Sequence, residues 1–256
     1  MDNLVYVDPS PRGEWALAMV ALLPPDWRSS LHLVATAEDV AAHPGLLERA
    51  RVRLGVTGSV QEVVLHGPAE RAMVAEATAR HFDLLVVPPA GRSAVARLLK
   101  GSRVATVVSS VRAPVLVARR PPARLDRVLA AVSGGRSTAP VIRVASALAQ
   151  GLGAELRFVH VASEVALPFG GEAAHPAVAP VESVQRMLAA AGGSSELAVR
   201  EGLVVEEVLE EFEDGAHHLL VLGMRGEAAP SSWGREDVTE RILLRCPGST
   251  LIVPGT

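Results

Sequence analysis

Residues 81–121 read HFDLLVVPPAGRSAVARLLKGSRVATVVSSVRAPVLVARRP, and residues 216–256 read AHHLLVLGMRGEAAPSSWGREDVTERILLRCPGSTLIVPGT. Laid on each other at an offset of 135 residues, the two stretches need no gap. Leu84-Leu85-Val86-Val87 falls on Leu219-Leu220-Val221-Leu222, Gly91 on Gly226, and Val115-Leu116-Val117 on Thr250-Leu251-Ile252. Farther upstream the likeness continues at an offset of 125. There Val5-Tyr6-Val7-Asp8-Pro9 meets Ala130-Ala131-Val132-Ser133-Gly134, and the segment 31–37 meets 156–162. The extra residues sit in the Pro/Gly/Ala stretch 163–180, which reads as a loop. A period this long is a domain duplication, not a solenoid.

Each copy alternates short β-branched runs with helical patterns. The first predicts strands at 4–8, 31–36, 60–66, 83–88 and 114–118, and helices at 13–23, 46–54, 68–80 and 101–110. The second predicts strands at 127–132, 155–162, 196–201, 217–222 and 249–253, and helices at 138–151, 181–191, 203–213 and 236–245. Strand–helix alternation implies right-handed crossovers and a parallel sheet covered on both faces. The expectation is therefore an α/β chain of two doubly wound domains, 1–121 and 122–256, each with its own five-stranded parallel sheet. Arg119-Arg120-Pro121-Pro122-Ala123 is the linker, where two prolines stop a strand and stiffen the joint.

Apolar residues make up 49% of the chain but aromatics only 3%, so the core must be aliphatic. The net charge of −3 argues against a general nucleic-acid binder, which would carry a basic surplus. The charge is uneven: residues 1–122 total +3 and residues 123–256 total −6. Cys246 is the single cysteine, so no intrachain disulfide forms and a cysteine-based zinc site is not expected. No apolar run is long enough for a membrane span. Met1-Asp2-Asn3 leads straight into a strand pattern without the features of a signal peptide. A cytoplasmic protein with no nucleic-acid or membrane partner is the expectation.

Ligands of an open parallel sheet bind beyond the carboxyl ends of its strands, where strand order reverses. After strand 1 of the first copy stands Asp8-Pro9-Ser10, and after strand 4 stands Pro88-Pro89-Ala90-Gly91. Nine residues separate Gly91 from Gly101-Ser102, which open the next helix. Bare backbone N–H groups at such a helix start make an anion site. Arg92, Arg97, Lys100 and Arg103 crowd the same stretch. A strand-1 carboxylate suits a ribose hydroxyl, and a glycine loop suits phosphates. The same residues also fit plainer roles: Gly91 and Gly101 as turn residues, Asp8 as a turn or cap residue, and the basic run as a solvated helix face.

Together, the strand-4 loop, the spacing to Gly-Ser, the helix after it and the closing Ala-Pro-Val-Leu-Val strand resemble domains of the universal stress protein family, and both halves fit the layout. The resemblance implies an adenine nucleotide alpha hydrolase-like fold and a stress-response role exerted by binding, not as an enzyme. It implies two halves paired as an internal pseudo-dimer through their last strands, and a homodimer of tandems. Nucleotide-binding members carry G-x-x-G, nine residues, G-[ST], and an Asp after strand 1. Asp8, Gly91, Gly101 and Ser102 match, while Pro88 replaces the first glycine. The resemblance implies ATP or another adenine nucleotide, with Mg as a possible companion. Adenine would lie near Thr36 and the phosphates on Gly101, Ser102, Arg103 and Val104. In the second copy Gly223 and Gly226 match, but Glu236-Asp237 replaces Gly-Ser and Ser133 replaces the Asp. That half is expected not to hold nucleotide in the family's way.

Two rivals stand beside this reading. One is a ligand-free interaction scaffold of the same fold. The other is an ATP-activating enzyme, because Ser133-Gly134-Gly135-Arg136-Ser137 resembles the Ser-Gly-Gly loop of ATP pyrophosphatases, though the Asp of that motif is missing. His217-His218 are expected on opposite faces of a strand, Cys246 at a buried helix end, and the acidic run Glu206–Asp214 on a solvated face. No catalytic constellation and no metal site can be assembled.

Overall fold

The computed structural model describes residues 1–55, 58–89, 111–162, 181–191, 196–224 and 238–255. The first half runs β1 (Asp2–Tyr6), α1 (Gly13–Leu22), a 3-10 turn (Pro25–Arg28), β2 (Ser30–Thr36), α2 (Ala37–Ala42), α3 (Leu46–Leu54), β3 (Ser59–Leu65), α4 (Ala69–Ala79), β4 (Leu84–Val87) and β5 (Val115–Val117). The second runs β6 (Arg127–Ala131), α5 (Thr138–Leu152), β7 (Glu155–Ala162), α6 (Val181–Ala190), β8 (Glu196–Glu201), α7 (Val204–Asp214), β9 (Leu219–Gly223), α8 (Val238–Arg245) and β10 (Ser249–Val253).

Both halves place their strands in the same order, β3-β2-β1-β4-β5 and β8-β7-β6-β9-β10, with all neighbours parallel. The two sheets are not separate bodies. β5 and β10 pair antiparallel, with Leu116 opposite Leu251, and fuse them into one ten-stranded sheet. This corrects the expectation of two independent sheets and agrees with pairing through the last strands. The physical reason is that β5 and β10 are fully buried segments whose backbone groups would otherwise form an open edge.

Alternation sorts the inner strands. Val5 and Val7 join one apolar cluster, and Leu4 and Tyr6 another on the opposite face. The first cluster runs unbroken across both halves, under α1, α3, α5 and α6. On the other face α4 covers the first half, and α7 with α8 covers the second. The outermost strands, β3 and β8, expose much of their length, as edges covered on one side only must.

Several boundaries differ from the sequence reading. β1 ends at Tyr6, not at residue 8: Val7 still donates to the Val34 carbonyl at 2.8 Å, but Asp8-Pro9 turns away. The 3-10 turn and α2 were not expected. α2 starts directly after β2 because the Thr36 side chain caps it. The helix expected at 101–110 lies outside the described residues. The run Glu206–Asp214 is not simply solvated. Glu211 is 5% exposed and joins Arg157 at 3.2 Å to Arg200 at 2.7 Å, while Arg200 also reaches Glu207, Glu210 and Asp214. A lone buried carboxylate would be costly, and these two guanidiniums neutralise it.

The linker is fastened to the second half at its first residue. The Arg119 guanidinium donates to the Cys246 carbonyl and, at 3.2 Å, to the Leu243 carbonyl, at the end of α8. Its backbone N–H donates to Ser249 Oγ at 2.9 Å, and that hydroxyl lies 3.1 Å from the Arg119 carbonyl.

Candidate functional site

Strand order reverses between β1 and β4 in the first half and between β6 and β9 in the second, which opens a crevice beyond each pair. Because β5 and β10 are antiparallel, these crevices lie on opposite rims of the sheet.

At the first crevice, Asp8 follows β1. Its Oδ1 accepts the Ser10 N–H at 2.7 Å, closing an Asx turn, and Gly13 N–H then donates to the Ser10 carbonyl at 2.9 Å where α1 begins. A Cβ on Gly13 would lie 1.9 Å from the Asp8 carbonyl oxygen, so only glycine lets the helix start press against the end of β1. The turn reading and the ligand reading of Asp8 are therefore not exclusive: one carboxylate oxygen holds the turn, and the other takes no part in it.

Thr36 ends β2 and is 8% exposed. Its hydroxyl donates to Asp39 Oδ2 at 2.7 Å and accepts the Asp39 N–H at 3.1 Å. The Tyr6 hydroxyl reaches the same carboxylate oxygen at 3.2 Å. A ligand near Thr36 would thus meet backbone, not a spare hydroxyl. Burial, then the charge and hydrogen bond of Asp39, then Asp8 and Glu38, raise the Tyr6 pKa well above the usual phenol value. The phenol stays neutral beside an acidic corner. Tyr6, Asp39 and Gly13 escaped the sequence reading. Gly13 alone carried a signal, as a glycine at a helix start a few residues beyond a strand-end Asp. Pro88 follows β4, while Gly91, Gly101, Ser102, Arg103 and Val104 lie outside the described residues.

The second crevice repeats the turn with weaker chemistry. Ser133 Oγ accepts the Gly135 N–H at 3.4 Å, and Thr138 N–H donates to the Gly135 carbonyl at 3.0 Å. Gly223 ends β9, and a Cβ there would come within 2.4 Å of Ser137 Oγ, so the Ser137 side chain fills the space beside the strand end. His160, 1% exposed, donates from Nδ1 to the Val132 carbonyl at 2.8 Å. Gly226, Glu236 and Asp237 lie outside the described residues.

β9 starts at Leu219, so His217 and His218 precede it instead of alternating within it. The His217 ring lies against Phe212 and Gly215, while His218 Nδ1 lies 3.0 Å from Asp126 Oδ1. Cys246 is buried directly after α8, and burial raises its thiol pKa. Among the described residues no group of His, Cys, Asp and Glu could hold a metal, and no helix is long and apolar enough to cross a membrane.

A family model described as the universal stress protein family matches residues 4–119 and again 124–254. Comparison with curated proteins gives no match. Among solved structures, the chain is similar to a universal stress protein from Archaeoglobus fulgidus DSM 4304, with TM-score 0.74 and 14% identity over 99% of this chain and 98% of that one. A functionally unknown protein from Pseudomonas aeruginosa PAO1 gives TM-score 0.73 and 20% identity over 99% and 92%. The cytoplasmic domain of a prokaryotic cation chloride cotransporter gives TM-score 0.59 and 12% identity over 98% and 94%. At these identities the likenesses speak for the fold alone.

Proposed function

The chain belongs to the universal stress protein family, and from that premise we propose that it acts in the cytoplasm in stress response by binding, taking one adenine nucleotide, ATP in the first instance, in its first half. The observation that carries this reading is the carboxylate of Asp8 at the strand-order reversal of the first half, where the second half has Ser133. Asp8 would hold a ribose hydroxyl through the oxygen not used in its turn. Adenine would lie near Thr36, and Gly91, Gly101, Ser102, Arg103 and Val104 would carry the phosphates.

Three features disfavour the second half. Ser137 fills the space beside Gly223. At the offset of 135, Glu236-Asp237 takes the places of Gly101-Ser102 in the sequence, and the half totals −6. Setting a triphosphate against two carboxylates costs roughly several kcal/mol unless a cation intervenes. Magnesium is that cation, so calorimetry with ATP belongs in both its presence and absence. The wild type is expected to bind one equivalent, and Gly101→Glu to bind none. Two equivalents in the wild type, or unchanged affinity in Gly101→Glu, would refute the asymmetry.

Pro88 in place of a loop glycine favours a second reading, a scaffold that binds no ligand. It predicts no heat with the wild type and a site created by Glu236→Gly with Asp237→Ser. A homodimer of tandems belongs to the main reading, and light scattering that gave only the mass of one chain at high concentration would remove it.

A further inference from the structure

The fused sheet ends in two edges, β3 in the first half and β8 in the second. They are guarded differently. β8 reads Glu196-Leu197-Ala198-Val199-Arg200-Glu201, with charges at both ends, and Glu196 and Arg200 are tied to Arg157 and Glu211. Charges on an edge strand are a common guard against pairing with another chain. β3 reads Ser59-Val60-Gln61-Glu62-Val63-Val64-Leu65, with a single charge. It holds no proline or glycine, and its register with β2 runs unbroken from Ser59 to Leu65. Val64 is 40% exposed.

The ladder decides which backbone groups of β3 face outward. Ser59 N–H donates to the Ser29 carbonyl at 3.0 Å, so residue 59 and every second residue after it bond β2. The N–H and C=O groups of Val60, Glu62 and Val64 therefore point away from the sheet, and among the described residues no strand lies on that side. Side-chain alternation puts the same three residues on one sheet face. There Val60 packs against the apolar cluster, and Glu62 Oε1 lies 3.3 Å from Arg51 Nε of α3.

We propose that β3 pairs antiparallel with β3 of a second copy of this chain, about a two-fold axis through Glu62. The proposal rests on the homodimer reading and names its interface. The register carries it. Hydrogen-bonded antiparallel pairs set an outward residue against an outward residue. Centred on Glu62, all three outward residues find such partners: Val60 of one copy meets Val64 of the other, twice, and Glu62 meets its own mate. About six backbone hydrogen bonds close the edge. Two valine pairs flank the axis, and each covers the exposed Val64. On the axis the two Glu62 carboxylates meet, each beside Arg51 of its own chain. Like charges directly opposite weaken a pair, so this one edge charge limits the strength of the dimer.

The test uses the full chain. Light scattering over a range of concentrations reads the mass, and added cysteines read the register, since the native Cys246 is buried. Glu62→Cys sets a thiol opposite its own mate, with about 5.5 Å between Cα atoms, within disulfide reach. Mild oxidation is expected to cross-link it into a covalent dimer. Gln61→Cys, also exposed, sits about 7–8 Å from its mate and is expected not to cross-link. Val64→Pro removes an outward N–H and leaves the β2 ladder whole, so it is expected to weaken the dimer about tenfold or more while circular dichroism stays native. Val64→Lys keeps the N–H, disturbs only the valine pair and is expected to weaken the dimer in the same direction. Glu62→Gln is expected to tighten it about two- to fivefold. A wild type that stays monomeric at high concentration overturns the proposal together with the homodimer reading. A wild-type dimer that both Val64 variants leave intact, or in which Gln61→Cys cross-links as readily as Glu62→Cys, overturns the proposal and leaves the homodimer reading standing.

Discussion

Replacing Arg119 with methionine should loosen the joint between the two halves while keeping the aliphatic stem in place. The guanidinium donates to the Leu243 and Cys246 carbonyls, closing the end of α8. Each hydrogen bond from a charged donor contributes about 1.5–3 kcal/mol, and partial exposure of Arg119 lowers that figure. Removing the charge also relieves an opposing cost. Burial is the main cause that lowers the Arg119 pKa, and the neighbouring charges of Arg12 and Arg120 push the same way. The net expected loss is therefore about 2 kcal/mol, below the simple sum of two bonds. For a chain of this size that corresponds to a fall of about 4–8 °C in melting temperature. Urea unfolding and thermal melting of wild type, Arg119→Met and Arg119→Lys measure it. Lysine keeps the charge but lacks the planar fork that reaches two carbonyls, so it should fall between the other two. If Arg119→Met matches the wild type within about 0.5 kcal/mol, the bonds to α8 contribute nothing and the reasoning fails.

Gly13→Ala should cost about 1–3 kcal/mol by overpacking, because its Cβ would meet the Asp8 carbonyl, and it should weaken any nucleotide bound beside Asp8; melting and ATP calorimetry on one preparation check both. Glu211→Gln should destabilise by about 1–3 kcal/mol, since Arg157 and Arg200 lose the buried charge between them; a denaturant midpoint no lower than wild type would contradict it. His217 titrates below the ordinary imidazole value, chiefly through burial, with Arg157 and Arg127 lowering it further and Glu211 and Glu155 opposing. The unfolded chain then takes up this proton first, so the contribution is full above about pH 6.5 and is lost as pH falls through the lowered folded value. Stability of the wild type should therefore drop more between pH 7.5 and 5 than that of His217→Phe, measured by urea unfolding.

Much of the fold was legible because it rests on local pattern. Buried parallel strands write themselves as continuous runs such as Leu84–Val87 and Leu219–Leu222, and the duplication writes each run twice. The fusion of the sheets was not legible in the same way. Pairing through the last strands came from the family resemblance, because nothing in the spacing of Val115–Val117 and Thr250–Ile252 states that each is the other's neighbour. The contacts of Arg119 to Cys246 and Leu243 are invisible for the same reason, since they join residues more than a hundred positions apart. At the candidate site, Asp8 was legible by type and place, but its turn depends on Ser10 and Gly13 taking specific backbone positions. The Tyr6–Asp39–Thr36 group needed α2, whose six residues are too few for a helical period to show. His217 did leave a trace: the offset of 135 sets it against Phe82, a polar residue for an aromatic at a buried place.

The geometry of the junction explains why the two halves are free to differ. β5 and β10 meet in the middle of the sheet, and their pairing buries backbone and apolar side chains whatever the strand-end loops contain. The two candidate crevices lie on opposite rims, so neither contributes residues to the other. Losing the carboxylate at Ser133, or filling the space at Gly223 with Ser137, therefore costs the first half nothing in packing. What the first half requires of the second is a strand to cover β5, a share of the apolar cluster that runs through both halves and an acceptor set for Arg119, and these are met by β10, the inner-facing apolar residues and the end of α8. A second domain held to those structural demands alone can change at its own strand ends, and the divergence of Ser133, Gly223 and His217 from Asp8, Pro88 and Phe82 lies at strand ends.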